Sequence, residues 1–103
     1  MSANEALLAE SAVELRRRIG SKEISPAELL EACIERIARI NPAVNAVTAT
    51  CYDRARAEAK AAEKAALDGE PLGLLHGLPT GIKDLEETAG LLTTYGSPLY
   101  RSF

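Results

Sequence analysis

Ten consecutive residues, Leu75-His76-Gly77-Leu78-Pro79-Thr80-Gly81-Ile82-Lys83-Asp84, constrain this chain more than any other stretch. They set a lysine at the end of a short apolar run, Gly81-Ile82-Lys83, which reads as a buried strand. Gly77 and Pro79 introduce the run, and an acidic, Thr/Gly-rich loop follows it. Burying an ammonium without a partner is costly and depresses its pKa instead. That is how a protein turns a lysine into a base, and it demands a packed interior around the residue. No convincing nucleophile for such a base is found before the chain stops at Phe103.

A chain of 103 residues is one domain at most, or a piece of a larger one. Hydrophobic residues make up 47 % of it, but much of that share is alanine, aromatics are only 4 % and Trp is absent. Large core side chains are therefore scarce for a self-sufficient fold. The net charge of −3 argues against nucleic acid as a partner, since phosphate binding wants a basic surplus. Arg16-Arg17-Arg18 is the one basic cluster, and Glu10, Glu14 and Glu23 lie close to it in sequence, so it reads as a solvated helix face. Cys33 and Cys51 match no metal spacing and no CxxC motif, and no metal or cofactor is expected. Without a signal peptide or a long apolar run, the expectation is a soluble cytoplasmic protein that does not enter a membrane.

Helical signals dominate the first half. Ser11-Ala12-Val13-Glu14 has capping-box spacing, Leu15 and Ile19 recur at helical intervals, and Gly20 is expected to close the helix. Ser25-Pro26-Ala27-Glu28 is a stronger start signal, with Ser25 as N-cap and Pro26 in the first helical position. Leu30, Cys33, Ile34, Ile37 and Ala38 form one stripe on the helix that follows, while Glu31, Glu35 and Arg39 mark its exposed side. Asn41-Pro42 should stop it. The predicted organisation is a helical region over 7–41, a strand over 44–50, an alanine-rich helix over 52–68 and a lysine-bearing strand and loop over 74–103. This order is an α/β pattern. Two short strands make no stable sheet alone, so the fold reads as incomplete and the isolated chain as marginal.

The lysine decad, followed by Ala89-Gly90 and Thr93-Thr94-Tyr95-Gly96-Ser97, resembles the amidase signature family. So does the approach to it, through Ser25-Pro26-Ala27-Glu28-Leu29-Leu30, Arg36-Ile37, Asn41-Pro42 and Asn45-Ala46. The resemblance runs from about Ser11 to the C-terminus. It implies the N-terminal part of a single α/β/α domain around a mixed sheet, and a serine hydrolase that cleaves carboxylic amides with a Ser–cis-Ser–Lys triad. Lys83 falls at the family's catalytic lysine. In that mechanism a neutral lysine, through the bridging cis-serine, takes the proton from the nucleophilic serine, and backbone N–H groups hold the oxyanion. A free lysine has a pKa near ~10.4, and lowering it by about three pH units costs roughly 4 kcal/mol, which only a complete, packed site sustains. Both family serines lie in a Gly/Ser-rich segment well after the lysine, and nothing in this chain corresponds to it.

Other polar residues invite blander readings. Ser97 lies in no G-x-S-x-G elbow and reads as a loop serine, while Ser11 and Ser25 read as helix caps. His76, the one histidine, has no partner carboxylate at a recognisable spacing, so a structural role is expected. Asp84 should fix the loop through backbone hydrogen bonds, and Glu86-Glu87 should face solvent. The function that follows is an amidase of small-molecule amides, carried by Lys83 and inactive in this chain alone. The rival is a non-catalytic relative whose unpaired sheet edge and alanine face serve interaction or dimerisation. A third reading is a split enzyme completed by a second chain.

Overall fold

The computed structural model describes residues 2–101; Met1, Ser102 and Phe103 lie outside it, so the expected segment 74–103 is followed only to residue 101. Four α-helices carry the architecture: α1 (Ala3–Leu8), α2 (Ala12–Gly20), α3 (Pro26–Val44) and α4 (Tyr52–Leu67), with a 3₁₀ turn at Pro98–Tyr100. Each of the first three begins where a serine hydroxyl accepts an orphan N–H of the first turn. Ser11 takes that of Glu14 at 3.1 Å and Ser25 that of Glu28 at 3.0 Å. Ser2 and Glu5 form a full reciprocal capping box at the start of α1, a helix that the reading over 7–41 did not include.

The helix ends follow equally local chemistry. After α4, the Glu70 N–H reaches the Ala65 carbonyl and the Gly69 N–H that of Ala66, with Gly69 at φ +73°: a Schellman closure. The same pattern closes α2, where Glu23 bonds Arg18 and Lys22 bonds Ile19. Gly20, expected to end that helix, is its last helical residue, and Lys22 takes the left-handed position at φ 66°. Pro42 does not stop α3 either. The helix continues to Val44 and ends on Asn45 at φ 50°, whose N–H returns to the Asn41 carbonyl. A proline in the last turn removes only one ladder bond, and Asn tolerates the left-handed cap.

The core sits where α1, α2 and the start of α3 meet. Leu15 and Ile19 of α2 join Ile24 and Leu29, with Leu7, Leu8 and Leu78 packed against them. Ile19 and Leu29 are each only 1 % exposed; burying such a side chain is worth about 1.5–3 kcal/mol. Helix α4 contributes Ala59 and Ala66, small residues that let its backbone lie close to α3. An Arg56–Glu31 fork at 2.6 and 3.3 Å ties the two helices at the surface. Arg39–Glu5 at 3.1 Å does the same between α3 and α1. The three arginines of α2 are all engaged within the chain: Arg16 with the Gly73 carbonyl, Arg17 with Glu14 and Glu23, Arg18 with Glu10.

No strand occurs among the described residues: of the segment expected at 44–50, Val44 is the last residue of α3 and 45–50 are irregular backbone, as are 80–83. A strand exists only by pairing, and neither segment finds a partner strand. Val47 has a substitute: its N–H donates to Asn41 Oδ1 and its carbonyl accepts from Asn41 Nδ2, both at 2.9 Å. A side-chain amide thus fills the two ladder positions of that residue. The radius of gyration, 15.2 Å, exceeds the ~13 Å of a compact domain of this size, in keeping with an open cleft on one side.

Candidate active site

The cleft runs between the apolar stripe of α3 and the C-terminal loops. Its volume is about 790 Å³, and Leu30, Cys33, Ile34 and Ile37 form one wall. Residues 46–52 and 79–83 line it further, and Leu85, Leu91, Thr93 and Tyr95 come from the loop beyond the lysine. Of the stripe predicted on α3, Leu30 is buried and Cys33, Ile34 and Ile37 are half-buried along this wall, whereas Ala38 is exposed. Burial pushes the Cys33 thiol up, the pattern of an inert packing cysteine. A smaller hollow of about 310 Å³ at the α2–α3 turn is lined by Ile24, Glu28 and Glu63, and does not include the lysine segment.

Two contacts seat the lysine decad on the helices. His76 Nε2 donates to the Ala62 carbonyl of α4 at 2.8 Å, which fixes its proton on that nitrogen and gives it the structural role expected. Gly77 lies at φ +80° against the α2–α3 corner: a Cβ there would come within 2.9 Å of Pro26 Cγ and 3.2 Å of Ile19 Cδ1. The motif glycine is thus required by both its backbone angle and its close approach.

Lys83 itself borders the cleft but is solvent-exposed. The buried environment expected for it is not supplied by the described residues, because no strand packs over Thr80–Lys83. Its backbone, by contrast, is held: the Lys83 carbonyl accepts the Leu85 N–H at 2.7 Å and the Glu86 N–H at 3.1 Å. Asp84, half-buried, accepts the Thr94 N–H at 2.7 Å on Oδ1 and the Thr94 hydroxyl on Oδ2. These bonds hold the Asp84 carboxyl below its ordinary value, the hydroxyl being the largest cause and the backbone N–H groups of Thr94, Gly96 and Tyr95 adding to it.

The loop between is stitched by further contacts that sequence reasoning did not identify. Buried Thr93 donates to the Glu86 carbonyl at 3.3 Å, and Arg54 of α4 donates to that of Ala89 at 2.7 Å. Tyr95 donates its hydroxyl to Glu87 at 2.6 Å, and this bond is the main reason its pKa is pushed up to about 12. Tyr95 also meets the Tyr100 ring edge-on at 5.2 Å. Glu86 and Glu87 are exposed as expected. Such bonds join side chains to backbone carbonyls 7–35 positions away, beyond the reach of local patterns. The serines that the structure describes serve turns and caps. Ser2, Ser11, Ser25 and Ser97 accept first-turn N–H groups and Ser21 bonds Arg18 and Glu23, and none of these lines the cleft. No helix among the described residues is long and apolar enough to cross a membrane.

Comparison with known proteins accounts for this arrangement. The family model described as Amidase matches residues 28–103, which include the whole lysine segment. An acylamidase of Rhodococcus erythropolis is 42 % identical over 88 residues, 84 % of this chain and 18 % of the relative. A glutamyl-tRNA(Gln) amidotransferase subunit of Pelobacter propionicus is 40 % identical over 90 residues, 87 % of this chain and 18 % of the relative. The crystal structure of a bacterial aryl acylamidase of the amidase signature enzymes superposes with a TM-score of 0.66 at 43 % identity, over 68 % of this chain and 14 % of that one. The chain therefore spans less than a fifth of the length of these relatives. Across most of its own length it is similar to them in sequence, and over 68 % of it to the aryl acylamidase in fold; it belongs to the amidase signature family.

Proposed function

We propose that this chain provides the lysine part of an amidase, which hydrolyses carboxylic amide C–N bonds through a Ser–cis-Ser–Lys triad with Lys83 as the base. The observation that carries the reading is the family match across residues 28–103, a span that includes Lys83. The position of Lys83 on the rim of an apolar-walled cleft supports it as well. In the proposed reaction the neutral Lys83 amine accepts a proton relayed by the bridging serine as the nucleophilic serine attacks the amide carbon. The same proton then returns to the leaving nitrogen, and water releases the acyl group. Burial is what would keep that amine neutral, and in this reading it comes from the complementing serine-bearing segment closing over the cleft. The substrate class is a small-molecule amide.

The test is amide hydrolysis by this chain alone, and mixed with a separately made polypeptide carrying the family's serine segment, each beside a Lys83→Ala control. We expect turnover only in the mixture, and a loss of about 10²–10⁴-fold in the control. Silence of a mixture whose two parts are shown to associate would refute the proposal.

A further inference from the structure

Resting on that reading, we infer that Asp84 is a positioning residue: its carboxylate clamps Thr94 and thereby fixes both the direction of Lys83 and the wall of the cleft beside it. The two residues are ten positions apart in sequence and meet through two bonds, one to the Thr94 N–H and one to its hydroxyl. The clamp closes the base of a compact loop whose ends are thus together, the geometry of an Ω-loop. Lys83 stands immediately outside this base. On its C-terminal side its carbonyl is held by the N–H groups of Leu85 and Glu86, and the next residue, Asp84, is held by Thr94. The lysine stem therefore leaves a backbone fixed by hydrogen bonds, although no secondary structure surrounds it.

The chemistry of the clamp asks for a carboxylate. Asp84 is called on only to accept, from one N–H and one O–H, and an ionised carboxylate offers acceptors alone. An amide in its place satisfies one of the two donors and turns an N–H toward the other. Thr94 Oγ1 in turn accepts the Gly96 N–H at 3.3 Å, so the order extends to the next turn, where Tyr95 (φ 55°) and Gly96 (φ 72°) are both left-handed. Leu85, Leu91, Thr93 and Tyr95, between or beside the clamped residues, are cleft wall. A displacement at the base consequently moves the reacting amine and its wall together, and misplacement of about 1 Å at a reacting group lowers rates by up to ~10²-fold.

The experiment compares the unsubstituted chain with Asp84→Ala, Asp84→Asn and Thr94→Val, the last removing only the hydroxyl and serving as the milder variant. Two quantities are read: amide hydrogen exchange at residues 84–96 in the chain, and kcat and KM in the mixture with the serine-bearing polypeptide. We expect Thr94 exchange to speed up about tenfold or more in Asp84→Ala, with the amides of α2 and α3 unchanged. We expect kcat to fall about tenfold with KM within about twofold, Asp84→Asn and Thr94→Val lying between. Unchanged Thr94 exchange in both Asp84→Ala and Thr94→Val overturns the clamp. Faster exchange with unchanged kcat overturns the positioning role and leaves Asp84 structural. An inactive unsubstituted mixture whose two parts associate sinks the amidase reading and this inference with it, whereas an active one with equally active Asp84→Ala sinks the inference alone.

Discussion

Replacing Gly77 with alanine tests whether the lysine motif is seated by contact or merely by sequence. Two penalties are legible at this residue. Its φ of +80° is a left-handed angle that an L side chain adopts at about 1–2 kcal/mol, offset by roughly 0.4–1 kcal/mol from a stiffer unfolded chain. The added methyl would also stand 2.9 Å from Pro26 Cγ, 3.2 Å from Ile19 Cδ1 and 3.3 Å from Ile19 Cγ2. The Ile19 methyls give way by a rotamer adjustment, but the Pro26 ring is locked to the first turn of α3, and overpacking of this kind costs about 1–3 kcal/mol. The net expectation for Gly77→Ala is a loss of about 2–4 kcal/mol. Gly69→Ala is the matched control, with φ +73° and nothing within 4 Å of its Cβ position, and should lose about 0.5–1.5 kcal/mol through the backbone alone. In urea unfolding, with a slope of about 1.5 kcal/mol per molar, the two midpoints should stand about 1–2 M apart. Losses within about 0.5 kcal/mol of each other would refute the contact argument and leave only the backbone angle.

Two further outcomes follow from contacts described above. Asn41→Ala frees both backbone groups of Val47 and should lower stability by about 1–2 kcal/mol, with faster amide exchange at Val47 and little change at Leu29; unchanged exchange at Val47 would show that the amide bridge does not form in solution. Acid should weaken the fold in a defined window. The carboxyls of Glu14 and Glu31 are lowered chiefly by hydrogen bonds from Arg17 and Arg56, that of Glu23 chiefly by Ser21, and that of Asp84 by Thr94. Because the folded values lie below the unfolded ones, the unfolded chain binds more protons between them. This stabilisation is complete above the ordinary values, 4.5 for the glutamates and 3.8 for Asp84, and fades as pH falls through the lowered folded values. Urea midpoints should be level from about pH 7 to 5.5 and decline below ~4.5, less steeply in high salt; a midpoint that rises on acidification there contradicts the assignment.

The helices were legible because their signals are local. Ser11 and Ser25 cap N–H groups three residues away, and the recurrence of Leu15 and Ile19 marks the buried face of α2 directly, whereas Leu29, buried as deeply as Ile19, lies outside the stripe predicted for α3. Helix α1 carried the same signal, since Ser2 and Glu5 have capping-box spacing, but its six residues offer too little periodicity to stand out. Strands were expected from β-branched composition at Val44–Thr50 and Thr80–Lys83, yet strand formation depends on a second segment that composition does not specify. Asn41-Pro42 misled in the same way: the proline weakens a helix only through its own missing N–H, and the Asn45 cap and the Val47 bridge hold the turn after it. Within the candidate site, Asp84 was recognisable as an anchor of its loop, whereas its partner Thr94, and the Tyr95–Glu87 and Arg54–Ala89 contacts, depend on how the loop folds back. Lys83 was singled out by the apolar run that ends on it, and the burial read from that run is absent because no strand packs over the segment.

The Asn41 amide has a consequence for how the segment after α3 meets other polypeptides. Peptide groups left open along an extended stretch accept almost any strand that drifts past, because the backbone is the same in every sequence. With both groups of Val47 already engaged, an arriving strand must displace an internal partner before it pairs at that residue. Displacement requires only that one side chain rotate, so the obstacle is small and is repaid when a strand of matching length completes a whole ladder. While both bonds hold, the Val47 N–H is not on offer to a passing strand.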